Sequence, residues 1–226
     1  MGLNNTLRIS KLSSTTSELV TRGQSWLDGK FWKDSKDTAL DFNIFVHRSR
    51  GGATAADIAT FYGINLIRGV VLLGSPPHVN MQSLVATPWS NTFIPQLLSA
   101  TLDNFGPIAT EFVEACVASQ LDQQTKYSWM GAIANQNPDV RLWSAPHVQN
   151  ETALMNAART FPFLVLQGTL DKLVDGQKLK DWMTPRFGNM VFRLWDNVGH
   201  APFWDNPNQT NQELDAFAKR LTPVIL

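Results

Sequence analysis

The feature that most constrains the fold is a short apolar run near the C-terminus, followed by a glycine and an aspartate. Residues Phe163–Gln167 form the run, Gly168 follows it, and Asp171 stands three positions beyond the glycine. A continuous apolar run of this length is typical of a strand buried on both faces of a parallel sheet. Ligands bind at the carboxyl ends of such strands, so Asp171 is predicted to lie where a functional site forms.

A histidine follows a second apolar run in the same way. The run Val191–Trp195 is predicted to be a strand, and His200 comes shortly after it in the sequence Gly-His-Ala-Pro-Phe-Trp. Two neighbouring strands would then bring Asp171 and His200 to the same crevice as an acid and a base. Taken singly, each residue also fits a structural role, Asp171 as a helix cap and His200 as a hydrogen-bonded loop residue.

A serine occupies the corresponding place after an earlier strand. The segment Phe42–Val46 is predicted to be a strand, and it leads through His47 and Arg48 to Ser49, then Arg50 and two glycines. A small-residue helical pattern follows, and the apolar run Gly69–Leu73 supplies a fourth predicted strand. A serine at a strand-to-helix turn is either an exposed nucleophile or the N-cap of the helix.

The chain order of serine, aspartate and histidine, together with the sequence motif around each of them, resembles that of the α/β-hydrolase family. The resemblance rests on Ser-x-Gly-Gly at Ser49, Gly-Thr-x-Asp at Asp171 and Gly-His-Ala-Pro-Phe-Trp at His200. It implies an α/β fold with a mostly parallel sheet, in which Ser49 is the nucleophile, His200 the general base and Asp171 its orienting carboxylate. It also implies that the backbone amide of Arg50 donates to the oxyanion. The chain departs from the family pattern at His47, where the nucleophile turn usually has a glycine.

The resemblance begins at Phe42, and family members carry several strands ahead of that point. Only 41 residues precede Phe42, with a weak strand signal at Leu7–Ile9 and a helical pattern at about Thr16–Leu27. The expectation is therefore a single α/β-hydrolase-like domain over residues 1–226 with the N-terminal strands missing. Such shortening would be either a natural variation or an incomplete gene product.

Residues 75–160 contain helical patterns and no convincing buried strand. The patterns cover Ile94–Leu102, Ile108–Leu121, Thr125–Gln136 and Glu151–Thr160. A helical insertion between two sheet strands resembles the lid of lid-bearing α/β-hydrolases, which shapes a pocket and excludes water. Aromatic side chains are predicted to bind the substrate, with core packing as the alternative for each: Trp89, Phe93, Trp129 and Trp143 in this insertion, and Phe203 just after His200.

Composition excludes several other classes of function. Nineteen basic and nineteen acidic residues give no net charge, so nothing indicates a nucleic-acid partner. No apolar run is long enough to span a membrane, and no secretory signal is visible. The single cysteine, Cys116, fits a cytoplasmic location. The four histidines lack metal-ligand spacing and no phosphate-binding loop is present, so no metal or other cofactor is expected. The oligomeric state and myristoylation of Gly2 remain open.

The leading hypothesis is a serine hydrolase that cleaves an ester or related acyl bond of a small, largely apolar substrate. The alternative is a non-catalytic or impaired hydrolase-like protein that keeps the fold and a binding cavity. The absent oxyanion loop and His47 favour the alternative, whereas the complete set of Ser49, Asp171 and His200 favours catalysis.

Overall fold

A computed structural model describes residues 44–136 and 148–221, and a four-stranded parallel sheet lies at its centre. The strands are β1 (Ile44–Arg48), β2 (Gly69–Leu73), β3 (Phe163–Gly168) and β4 (Met190–Trp195). They lie side by side in chain order, and each is parallel to its neighbours. All four correspond to strands predicted from the sequence. Two earlier predictions, the strand at Leu7–Ile9 and the helix at Thr16–Leu27, lie outside the described residues.

The two central strands are buried on both faces, as their uninterrupted apolar runs predict. Every residue of β2 and β3 is buried. On one face, Leu72 and Val165 pack with Ala56 of helix α1 (Gly52–Tyr62). On the other, Val71 and Leu164 pack with Phe217. Successive residues of a strand point to opposite faces, so one apolar run supplies both halves of the core.

Glycine and alanine allow the helices to lie close to the sheet. Helix α1 buries Ala55, Ala56 and Ala59 against it. On the opposite face, a Cβ at Gly69 would lie 2.5 Å from a methyl of Leu221 and 2.8 Å from the Phe217 ring. Any side chain at that position would therefore push the last helix away from β2.

The segment between β2 and β3 is helical in its described part. Its helices are α2 (Gln82–Val85), α3 (Pro88–Leu98), α4 (Phe105–Ala115), α5 (Gln123–Ala134) and α6 (Thr152–Ala157). Pro88 begins α3, with the Thr87 hydroxyl accepting from the Ser90 amide, whereas the sequence pattern placed the start of that helix at Ile94. Proline has no amide to leave unpaired, which suits it to a first helical position. No β-strand lies in the described part of this segment, although Ala86 forms an isolated antiparallel bridge with Val174, which follows β3.

Three helices complete the C-terminal part of the described chain. Helix α7 (Gly176–Met183) connects β3 to β4, and the Asp175 carboxylate caps it by accepting from the Lys178 amide at 3.0 Å. Helices α8 (Pro202–Asp205) and α9 (Pro207–Leu221) follow β4. Within residues 44–136 and 148–221, no helix is both long enough and apolar enough to cross a membrane.

Candidate active site

Ser49 lies at a tight turn between β1 and α1, where a nucleophile would be presented. It opens a short 3₁₀ turn, Ser49–Gly51, which continues directly into α1. Its φ is 54°, a left-handed conformation that is uncommon for a residue with a side chain. Backbone strain of this kind persists only where the surrounding structure enforces it, and it concentrates at functional sites.

The residue that holds this turn in place is Ser75, which follows β2. Its hydroxyl accepts a hydrogen bond from the Gly52 amide at 3.1 Å and donates to the Ser49 carbonyl. A Cβ at Gly52 would lie 2.1 Å from the Pro76 carbonyl oxygen, so the turn fits against the neighbouring loop only with glycine there. The second glycine of Ser-x-Gly-Gly is thus required by this close approach.

His47 occupies the position at which the family pattern has a glycine, and its ring lies next to Gly51 of the turn. Its ring stacks on Phe45 at a centroid distance of 5.7 Å. Its Nδ1 would lie 3.5 Å from a Cβ at Gly51. Its Nε2 is buried and has no hydrogen-bond partner among the described residues. Burial lowers the pKa of the His47 imidazole from its ordinary 6.5 to about 4, so the ring is neutral at pH 7.

Asp171 and His200 form a buried pair at the carboxyl ends of β3 and β4. The Asp171 Oδ2 lies 2.9 Å from Nδ1 of His200, and the residues are 7% and 1% exposed. The other carboxylate oxygen accepts from the amides of Leu173 at 2.7 Å and Val174 at 3.0 Å. Because an ionised carboxylate can only accept, Nδ1 carries the proton and Nε2 has the basic lone pair.

Ser49, Arg50 and His200 line one cavity of about 430 Å³. His200 Nε2 is buried without a hydrogen-bond partner among the described residues, so the Ser49 hydroxyl does not contact it directly. The structure therefore brings the predicted nucleophile and base to the same cavity, with a gap between them. Catalytic hydrogen bonds are often long in the absence of substrate and shorten when it binds.

The cavity lining is mostly aliphatic, unlike the aromatic lining predicted from the sequence. Ile94, Leu97, Leu98, Ile133 and Leu173 contribute to it, and Phe112 is its aromatic member.

The four described aromatic candidates pack elsewhere, and Trp143 lies outside the described residues. Trp89 stacks on Phe93 at 4.4 Å. Trp129 packs against Phe203 and Trp204. Trp129 is part of the apolar core, and Trp89 and Phe203 pack against that core, because aromatic side chains bury most area where they pack on one another.

Burial shifts the pKa of two ionisable groups, Arg50, which lines the cavity, and Cys116, which is not among the lining residues. Burial lowers the pKa of the Arg50 guanidinium and raises that of the Cys116 thiol to about 11, so this cysteine is not a nucleophile at neutral pH. Among residues 44–136 and 148–221, no three histidine, cysteine or acidic side chains gather as a metal site would require.

Sequence reasoning missed two polar residues that support the pair. Gln167, within β3, donates to Asp171. Asp205 accepts from the Gly199 amide at 2.8 Å and from the Ala118 and Ser119 amides at 2.9 Å each. A lone glutamine in an apolar strand was a usable signal for the first. Nothing local indicates that Asp205 joins two loops, because Ala118 and Ser119 lie over 80 residues away from it in the sequence.

Comparison with solved structures identifies the architecture. A candidate aryl esterase from Burkholderia cenocepacia matches with a TM-score of 0.69 and 22% identity, over 80% of this chain and 65% of that one. The esterase RhEst1 from Rhodococcus sp. ECU1013 matches with a TM-score of 0.69 and 20% identity, over 79% and 66%. A bromoperoxidase from Bacillus anthracis matches with a TM-score of 0.63 and 17% identity, over 90% and 74%.

No family model matches the chain, and no curated protein does. The aligned chain spans about two thirds of the two esterase structures. Their fold agrees with the four-stranded parallel sheet and the helices that pack on it. The chain therefore has the α/β-hydrolase fold.

Proposed function

We propose that the protein is a serine hydrolase that cleaves carboxylic esters of small, largely apolar molecules. The observation that carries this proposal is the polarisation of His200: its Nδ1 contacts a buried carboxylate, which leaves Nε2 as the basic nitrogen, and His200 lines the same cavity as Ser49. A histidine fixed in this tautomer is a general base for a serine hydroxyl. The esterases among the solved structures with this fold add support.

Each residue has a defined step in the proposed reaction. Ser49 Oγ attacks the ester carbonyl carbon while His200 Nε2 takes its proton, and Asp171 stabilises the resulting imidazolium. The backbone amide of Arg50, at the start of a helical turn, donates to the oxyanion. When the tetrahedral intermediate collapses, His200 returns the proton to the leaving alcohol. A water molecule, deprotonated by His200, then releases the carboxylic acid and regenerates Ser49.

The cavity suggests which part of the substrate is recognised. Apolar side chains, among them Ile94, Leu98 and Ile133, line it together with Ser49. About 430 Å³ lies at the lower end of the range for small-ligand pockets, which suits a short or medium acyl chain. The helices of residues 75–160 supply much of this lining, so we assign them the role of a lid.

The test is turnover of 4-nitrophenyl acetate, butyrate and octanoate. The wild type should hydrolyse at least one of them, and Ser49→Ala should lose activity by roughly 10⁴-fold or more. Ser128→Ala is the matched control, because Ser128 is an exposed residue of α5 outside the cavity. Equal turnover by the wild type and a folded Ser49→Ala would remove Ser49 from the mechanism. No turnover by the folded wild type would favour a non-catalytic protein with a binding cavity.

A further inference from the structure

We propose that Gln167 is a positioning residue that lowers the basicity of His200, an inference that rests on the proposed hydrolase function. It lies on β3 immediately before Gly168 and is completely buried. Its Nε2 donates to Asp171 Oδ2 at 2.6 Å. Since His200 Nδ1 contacts the same oxygen at 2.9 Å, Gln167 and His200 share one acceptor.

Gln167 completes the hydrogen bonding of the Asp171 carboxylate. Oδ2 accepts from Gln167 and His200, and Oδ1 accepts from two backbone amides. Four donors fill the acceptor sites of a carboxylate. The negative charge of Asp171 is thus spread over several hydrogen bonds, and the part that stabilises a proton on His200 is smaller than in an isolated pair.

The orientation of the Gln167 amide is fixed by its neighbours. Its Nε2 faces two acceptors, Asp171 Oδ2 and, at 3.4 Å, the Val174 carbonyl. Reversing the amide would place Oε1 against these two acceptor oxygens, and no hydrogen bond could form. The side chain also has little freedom, because a Cβ at Gly176 would lie 2.7 Å from its Cγ.

This arrangement leaves one polar atom without compensation. Gln167 Oε1 is buried and has no hydrogen-bond partner among the described residues. A buried acceptor without a donor opposes folding, whereas an apolar side chain of similar size would avoid that cost. A glutamine placed here for stability alone would be a poor choice, so its donated hydrogen bond to Asp171 is the feature that accounts for it.

The consequence is that the Asp171 carboxylate stabilises a proton on His200 less than it would without Gln167. Losing a hydrogen bond to a charged group concentrates the carboxylate charge on His200, so replacing Gln167 should make the His200 imidazole a stronger base. The other charged or titratable groups around the pair are unchanged by the substitution. They are Arg50 in the cavity, the Cys116 thiol, which interacts electrostatically with both Asp171 and Arg48, and Asp205 at the Gly199 amide.

The test is an NMR titration of His200 in the wild type and Gln167→Met. Methionine keeps a similar length and removes both the donor and the orphaned acceptor. The chain has four histidines, so the His200 signal is assigned by its absence in His200→Gln. The expected result is an upward shift of the measured His200 titration midpoint in Gln167→Met. Gln167→Asn retains an amide with a shorter reach and should shift the pKa in the same direction, which provides a second variant if methionine prevents folding.

Leu166→Ala is the control for a merely structural effect. Leu166 is the adjacent buried residue of β3, packed on the other face of the sheet, so its truncation destabilises the strand without touching Asp171. The His200 pKa should not move in this variant. If it moves equally, or stays unchanged in both Gln167 variants, the proposal is overturned.

Kinetics separate this inference from the proposed function. In an active enzyme, the acid limb of the kcat/KM profile should move upward in Gln167→Met with the NMR pKa, while KM for 4-nitrophenyl butyrate stays within about twofold. An unmoved acid limb would contradict the inference. If the wild type hydrolyses no ester, the hydrolase proposal fails, but the titration still decides whether Gln167 sets the pKa of His200.

Discussion

Replacing Gly168 by alanine should misplace His200, because at this glycine the backbone of β3 packs directly against the backbone of Val198 and Gly199, the two residues before His200. A Cβ at Gly168 would lie 1.9 Å from the Val198 carbonyl oxygen and 2.6 Å from that of Gly199. These are main-chain atoms, so no side chain can rotate away. His200 directly follows Val198 and Gly199, and its Nδ1 must stay within hydrogen-bonding distance of Asp171.

The size of the effect follows from these distances. Real Cβ atoms approach other heavy atoms no closer than 3.0 Å, so the Val198 carbonyl must move by more than an ångström. Forcing extra atoms into a packed interior costs about 1–3 kcal/mol of folding free energy, and displacement of a backbone segment favours the upper end. A catalytic group misplaced by about 1 Å can cost roughly 10²-fold in rate. Gly168→Ala should therefore lose both stability and ester turnover.

The assay compares Gly168→Ala with the same substitution at Gly131. Gly131 lies within α5, and a Cβ there would meet nothing within 4 Å. Gly131→Ala should raise stability by about 0.5–1 kcal/mol, because alanine is the better helix former, and should leave kcat/KM unchanged. Urea unfolding and 4-nitrophenyl butyrate turnover measure the two quantities. If Gly168→Ala is as stable and active as the wild type, the close approach and its role are refuted.

Two further predictions concern the stability of the fold in acid and the hydrogen bonds that Asp205 accepts. Because the folded-state pKa of His47 is about 4 and the ordinary value is 6.5, the unfolded chain binds a proton that the folded chain does not, and stability falls as the pH drops from 6.5 to 4. This loss amounts to about 3 kcal/mol and should disappear from the pH dependence of urea unfolding in His47→Phe, whereas an identical dependence in both proteins would contradict it. Asp205→Ala leaves the Gly199, Ala118 and Ser119 amides without their acceptor, so melting should show a loss of about 2–4 kcal/mol. Ester turnover should fall as well, since the loop before His200 loses its hydrogen bond to Asp205. A stability loss below about 0.5 kcal/mol, as for an ordinary surface substitution, would contradict this role.

The strands and the Asp171–His200 pair could be predicted because their signals are local. Strands β2 and β3 are buried on both faces and therefore have uninterrupted apolar runs. Parallel strands with consecutive chain order place their following loops at one edge, so an aspartate after one and a histidine after the next come together.

Other features depend on contacts that a linear pattern does not contain. The helix predicted over Ile108–Leu121 ends at Ala115, and the amides just beyond it are held by Asp205 from a distant part of the chain. The aromatic pocket prediction relied on composition. Composition does not say which face of a helix meets the cavity, and the rings of Trp89 and Phe93 pack together.

The most direct test of the central claim is covalent labelling with a fluorophosphonate, read by mass spectrometry of the digested protein. In the proposed mechanism, His200, oriented by Asp171, activates Ser49 in the cavity that both line. We expect one label per chain, on the peptide containing Ser49. The label should be lost in Ser49→Ala and strongly reduced in His200→Gln, with Ser128→Ala labelled like the wild type. A folded wild type that takes no label, or that takes it on another residue, would contradict this mechanism.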